Sequence, residues 1–95
     1  MKNSEVAKAF VYNYVNNAKT TNVEFTSNKL YSYSTVIAQR LNDGRIILNE
    51  TKYSVSTSRH QHYLRFYLSQ NYNENEIIRI EGVPRGTYNL EKYVK

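Results

Sequence analysis

The stretch Val36-Ile37-Ala38-Gln39-Arg40-Leu41-Asn42-Asp43-Gly44-Arg45-Ile46-Ile47-Leu48-Asn49 decides the fold. Two β-prone runs meet at Asp43-Gly44, a dipeptide that tolerates the positive φ angles of a two-residue type I′ turn, so the segment predicts a β-hairpin. With Asp43 and Gly44 as the loop, Asn42 pairs with Arg45, Leu41 with Ile46 and Arg40 with Ile47. Ile37, Leu41, Ile46 and Leu48 then line the core face, while Arg40 and Arg45 lie diagonally across the two strands on the opposite face. Two guanidinium groups held side by side repel unless an anion sits between them, and their planar donor forks suit carboxylate or phosphate. The alternative is that both splay into water, where exposed charge contributes little.

Outward from the hairpin, Tyr31 and Tyr33 alternate with Leu30, Ser32 and Ser34 at period two, and Val23, Glu24 and Phe25 do the same, so both stretches read as strands. Upstream, Val6, Ala7, Phe10, Val11, Tyr14 and Ala18 fall within about 140° of one another at 100° per residue, predicting an amphipathic helix from Ser4 to Ala18. Asn3 or Ser4 is placed to cap it, and Glu5 suits its positive end. Downstream, Thr51 to Val55 reads as an edge strand. Ser56, Thr57 or Ser58 then caps a second helix over about 58–70, with His60, Tyr63, Leu64, Tyr67 and Leu68 on its inner face. Ile77 to Ile80 is a further strand, and Gly82, Pro84 and Gly86 punctuate a loop before Tyr88 and Leu90 alternate once more. The pattern predicts an α+β fold: a small antiparallel sheet with a central hairpin, packed against two helices at about 4–18 and 58–70, in a single domain over 1–95.

Ninety-five residues exclude a second independent core. Val, Ile, Leu and Phe make up 23 of them, enough for a thin core and above the level of disordered chains. Thirteen Lys and Arg against eight Asp and Glu leave +5 at pH 7, which favours polyanionic partners. Most of that excess lies in residues 25–73, where six cations face two acids. The absence of cysteine removes disulfides, thiol nucleophiles and Cys-based zinc sites and fits a reducing compartment. With no apolar run of membrane-spanning length and no signal-like stretch in MKNSEVAKAF, a cytoplasmic location is expected.

Of the residues that carry chemistry, Phe66 stands out, because helical spacing places it on the outer face of the second helix among Arg59, His62 and Arg65. An aromatic ring among cations makes a stacking surface for unpaired bases or an anchor for a protein partner. The alternative is that Phe66 packs under the tail, near Val83 or Tyr93. His60 and His62 form an H-x-H pair that a helix separates by about 200°, so no shared metal and no cofactor are expected. Ten tyrosines interleaved with arginine suit nucleic-acid contacts, or fill a core short of Leu and Phe. No Gly-rich phosphate loop, nucleophile elbow or paired acids appear, so an enzyme is not expected. The one enzymatic alternative is a metal-independent RNase toxin using His60, His62, Arg59, Arg65 and Tyr63.

The segments Leu30-Tyr31-Ser32-Tyr33-Ser34-Thr35-Val36-Ile37-Ala38, Ile47-Leu48-Asn49, Lys52-Tyr53-Ser54 and Thr57-Ser58-Arg59-His60 resemble a small uncharacterised domain of phage and mobile-element proteins from Gram-positive bacteria, over about residues 30–68. The resemblance implies an accessory protein that binds a host complex, CRISPR effectors included, or DNA or RNA. The leading expectation is therefore a non-enzymatic, anti-CRISPR-like inhibitor that docks on a host protein or ribonucleoprotein through Arg40, Arg45, Arg59, His62, Arg65 and Phe66. Direct, regulatory nucleic-acid binding is the alternative. An edge strand and an exposed Phe66 also allow a homodimer.

Overall fold

Asn13 stops the first helix. In the computed structural model, which describes residues 2–94, α1 covers Asn3–Tyr12, and Asn13 takes left-handed backbone at φ 58° while its N–H returns to the Ala9 carbonyl at 2.9 Å. The apolar period that predicts a helix to Ala18 runs on past this point. Asn is one of the few residues that enters the left-handed region at low cost, and a single such residue ends the helical ladder. Tyr14 and Val15 are left exposed, and Ala18 joins a strand. At the other end Lys2 holds the cap position, its N–H donating to the Glu5 carboxylate at 2.7 Å, so Asn3 sits inside the helix with its side chain available for another partner.

Six strands follow: β1 (Asn17–Lys19), β2 (Val23–Thr26), β3 (Lys29–Ser32), β4 (Thr35–Arg40), β5 (Ile46–Asn49) and β6 (Ile77–Ile80), with α2 (Val55–Asn71) between the last two. They form one sheet in chain order. The first five strands are an antiparallel meander, but β6 adds parallel to β5, with Ile46 opposite Ile77 and Asn49 opposite Ile80. The sheet is thus mixed rather than wholly antiparallel, because α2 carries the chain back across it and returns β6 in the same direction as β5. The expected α+β layering, two helices against one sheet, is present. No helix among the described residues is long and apolar enough to cross a membrane.

The hairpin forms with a register one residue away from expectation. Arg40 pairs with Ile46, not Ile47, and Gln39 takes Ile47. The Gly44 N–H donates to the Leu41 carbonyl at 3.0 Å and the Leu41 N–H to the Arg45 carbonyl at 2.8 Å, with Gly44 at φ 92°. This is a three-residue loop closed by a glycine bulge, the next commonest solution to a two-residue turn. Since side chains alternate, the slip sends Leu41 to the face it shares with Ile47, away from Ile46 and Leu48. A second irregularity lies between β3 and β4, where Leu30 pairs with Ala38 and Tyr31 with Val36. The extra residue, Ile37, points to the same side as Ala38 and adds to the helix-side core. The strand predicted through Ser34 ends at Ser32, because Tyr33 turns through φ 57°.

Both faces of the sheet are covered. On one, Val6, Phe10 and Val11 of α1 and Leu64 and Leu68 of α2 pack on Phe25, Leu30, Ile37, Ile46 and Leu48, with the Phe10 and Phe25 rings edge to face at 5.6 Å. On the other, Val36 and Ile47 are covered by Ile80 and by Val83 and Leu90 of the tail, with Tyr93 and Val94 docked beside them. The segment Thr51 to Val55 is not a strand. The Asn49 side chain accepts from the Thr51 N–H at 3.0 Å, and Gln61 Nε2 donates to the carbonyls of Asn49 (2.7 Å) and Thr51 (3.0 Å), bending the chain directly into α2. Ser54, earlier than any of the predicted caps, receives the Thr57 N–H at 3.1 Å.

Candidate functional site

Not one of the seventeen residues of α2 is acidic. Its inner face is set by Thr57, His60, Gln61, Leu64 and Leu68, all buried. The opposite pole follows from spacing: Val55, Arg59, His62 and Phe66 stand at i, i+4, i+7 and i+11, one stripe along the helix. All four are exposed, Val55 at 78% and Phe66 at 51%. The Phe66 ring is not under the tail; it stands edge-on against Tyr67, centroids 5.2 Å apart, and Tyr67 leans on Tyr12 of α1 at 6.1 Å. The aromatic residue is therefore braced from behind while its own ring faces outward. Arg65 lies on the flank, half-buried, lining a small crevice with Leu68, Glu74 and Arg79.

Among the described residues the ion pairs are Arg45 with Asp43 at 2.7 Å and Arg79 with Glu50 at 3.2 Å and Glu74 at 3.0 Å. Neither Arg59 nor Arg65 takes part in any of them. The hairpin pair fares differently. Arg40, expected on the outer face, is turned by the register into the helix side, where Nη2 donates to the Phe10 carbonyl at 2.7 Å and the guanidinium lies 4.7 Å from the Phe10 ring centroid. It satisfies a carbonyl at the C-terminal end of α1, a structural task. Arg45 sits in the loop and is held by Asp43, whose carboxyl is kept below the usual range by the Arg45 N–H and then by its guanidinium. The structure thus brings together Arg59, His62 and Phe66, with Arg65 at their edge, and removes Arg40 and Arg45 from any shared surface.

The two histidines part company as helical spacing requires. His62 is exposed, whereas His60 is 3% exposed inside a chain of polar groups. Its Nδ1 is 2.7 Å from Ser32 Oγ, which is 3.0 Å from Thr57 Oγ1, and its Nε2 is 3.3 Å from Asn3 Nδ2. The Thr20 hydroxyl donates to Asn3 Oδ1, which leaves the Asn3 amide nitrogen as donor to Nε2. The ring proton therefore sits on Nδ1 and is donated to Ser32. Ser, His and Asn in contact resemble a nucleophile, base and orienting residue, but here the histidine gives its proton to the serine and all reaches of solvent are closed, with Ser32 1% exposed. Burial, and then the charge of Arg59, hold the His60 imidazole below its ordinary pKa. The trio ties α1, β3 and α2 together, and the set of residues named for an RNase is split between the interior and the surface.

One region is expected only as a loop followed by an alternation of Tyr88 and Leu90, with no candidate site residue. Residues 84–89, Lys92 and Tyr93 enclose a groove of about 450 Å³ on the tail side of the sheet. Its sequence signal is the recurrence of Arg85, Tyr88, Lys92 and Tyr93 within nine residues, too short and irregular for a periodicity argument.

The chain belongs to DUF8033, a family of unknown function, whose model matches residues 3–80. No curated protein and no solved structure matches the chain. The matched span takes in both helices and the whole sheet, so the α2 stripe lies inside it and the tail groove outside.

Proposed function

We propose that this member of DUF8033 is a non-enzymatic binding module that docks the outer face of α2 on the anionic surface of a host nucleoprotein, in the manner of an anti-CRISPR inhibitor. The observation that carries the reading is the stripe Arg59, His62 and Phe66, exposed on a helix without a single acid and outside the ion pairs formed among the described residues. Complementary charge speeds encounter and orients docking, and an aromatic ring braced on a rigid helix is the kind of anchor that carries a large share of binding energy. The resemblance of residues 30–68 to a domain of phage and mobile-element proteins supports the setting. Affinity capture from a bacterial host lysate, with and without nuclease, tests it. Recovery of a ribonucleoprotein that Arg59→Glu with Phe66→Ala abolishes is expected. Capture that survives these substitutions in a variant of unchanged melting temperature refutes it.

A further inference from the structure

The tail groove differs from the α2 face in that it is a concavity with fixed walls. The Val36 N–H donates to the Thr87 carbonyl at 3.0 Å, the Gly86 N–H to Thr35 Oγ1 at 2.9 Å, and the Leu90 N–H to Gln39 Oε1 at 2.8 Å. Gln39 is 1% exposed and uses its other end on Asn89 Oδ1 and Glu91 Oε1, both at 3.2 Å. The loop between Pro84 and Tyr93 is therefore stitched to β4 from below, and its shape exists before anything binds. About 450 Å³ lies within the usual range of small-ligand sites.

The lining carries two cations, Arg85 and Lys92, and no acid; the carboxylate of Glu91, next to Lys92 in the chain, is engaged by the Gln39 amide. It also carries two tyrosine rings. Tyr88 is 67% exposed, the most open aromatic side chain of the described residues, and the Lys29 ammonium sits 5.0 Å from its centroid. Lys92 lies 5.5 Å from the Tyr93 centroid, and Arg85, 5.7 Å from the Tyr53 ring, donates to the Tyr53 carbonyl at 3.2 Å. Each ring has a cation beside it. A simple anion would use the cations and make no use of the open phenol ring. An apolar ligand would use the ring and strand two charges. A nucleotide presents a planar base and a phosphate on adjoining units and satisfies both.

We infer that the groove binds a nucleotide of single-stranded nucleic acid, its phosphate between Arg85 and Lys92 and its base stacked on Tyr88. In a duplex the bases are stacked on one another, so the single strand is the form that fits. The site lies on the tail face of the sheet, its residues are separate from Arg59, His62 and Phe66, and the inference stands without the α2 reading.

Fluorescence anisotropy with labelled eight-nucleotide oligothymidine and oligouridine, and with the matching duplex, decides the matter. The single strands bind the wild-type protein at low salt and the duplex binds more weakly. Raising NaCl fourfold weakens single-strand binding about 2.6-fold, the slope of one neutralised phosphate, and Arg85→Ala with Lys92→Ala flattens that slope. Tyr88→Ala weakens binding by about 5- to 150-fold while Tyr88→Phe retains it. Because Tyr88 is exposed, its removal leaves the core intact, which an unchanged melting temperature verifies. Absence of single-strand binding at low salt, equal affinity for duplex, or a folded Tyr88→Ala variant with wild-type affinity each overturns the proposal.

Discussion

Acidification is expected to loosen the contact between the two helices through His60, and the size of the effect follows from the hydrogen-bond polarity around the ring. In the neutral form Nδ1–H is donated to Ser32 and Nε2 accepts from Asn3. A second proton converts Nε2 to a donor facing another donor, on a ring that is 3% exposed and with Arg59 adding like charge. The folded-state pKa is thus below that of the unfolded chain, where histidine titrates near 6.5. The sign follows: the unfolded chain binds more protons in acid, so the stabilising contribution is complete well above pH 6.5 and is lost progressively as the pH falls from there toward the folded pKa. Between pH 7.5 and 5.5 the largest loss this one site can cause is about 1.4 kcal/mol, one proton over the interval in which the unfolded histidine titrates. With a urea m-value of about 1–3 kcal/mol/M for a chain of this size, the unfolding midpoint falls by roughly 0.5–1.4 M. Urea titrations at the two pH values, on the wild type and on His60→Gln, measure it. The variant is less stable at pH 7.5 because the network is disturbed, but its midpoint moves less between the two pH values. Equal pH dependence of the two proteins, or a wild type more stable at pH 5.5, refutes the assignment of tautomer and partners.

Arg40→Met keeps an unbranched side chain but removes the guanidinium from the Phe10 ring and leaves the α1 carbonyl without its donor; a loss of about 1.5–3 kcal/mol in urea unfolding is expected, and an unchanged midpoint argues that water caps this helix equally well. Gly44→Ala meets no atom within 4 Å, so its effect is purely the backbone strain of φ 92°, about 1–2 kcal/mol, read as a lower urea midpoint with no change in α2-dependent capture. Gln39→Leu preserves buried volume but strands the Leu90 N–H; stability drops by about 1–3 kcal/mol, and hydrogen exchange quickens across residues 86–93 before it does in α2. Uniform quickening across the molecule counts against a locally anchored tail.

What the sequence made legible and what it hid divides along the geometry of the two regular structures. The start of α2 is predicted three residues late and its end one residue early, yet Arg59, His62 and Phe66 still fall on one exposed stripe, because each residue's angular position depends only on its distance from the others along the helix. Extending a helix does not rotate its faces. A strand pair has no such tolerance: one extra residue in the Leu41–Arg45 loop shifts the register by one, and the period of two exchanges inside for outside. Arg40 passed in that single step from a presumed anion site to the cap of α1, and Leu41 from one core to the other. The end of α1 turned on one residue entering the left-handed region, a choice that an unbroken apolar period does not reveal. The tail was hidden for a different reason, since its anchor, Gln39, lies 51 residues away from Leu90 and a buried glutamine in a strand looks from sequence like an outward-facing one. It follows that a site composed on one helix face can be read from a sequence with more security than one composed across a hairpin, and that the α2 stripe and the tail groove call for different tests: the first for a partner that meets a preformed convex surface, the second for a small ligand unit that fits a groove whose loop is tied to β4 by Thr35, Val36 and Gln39.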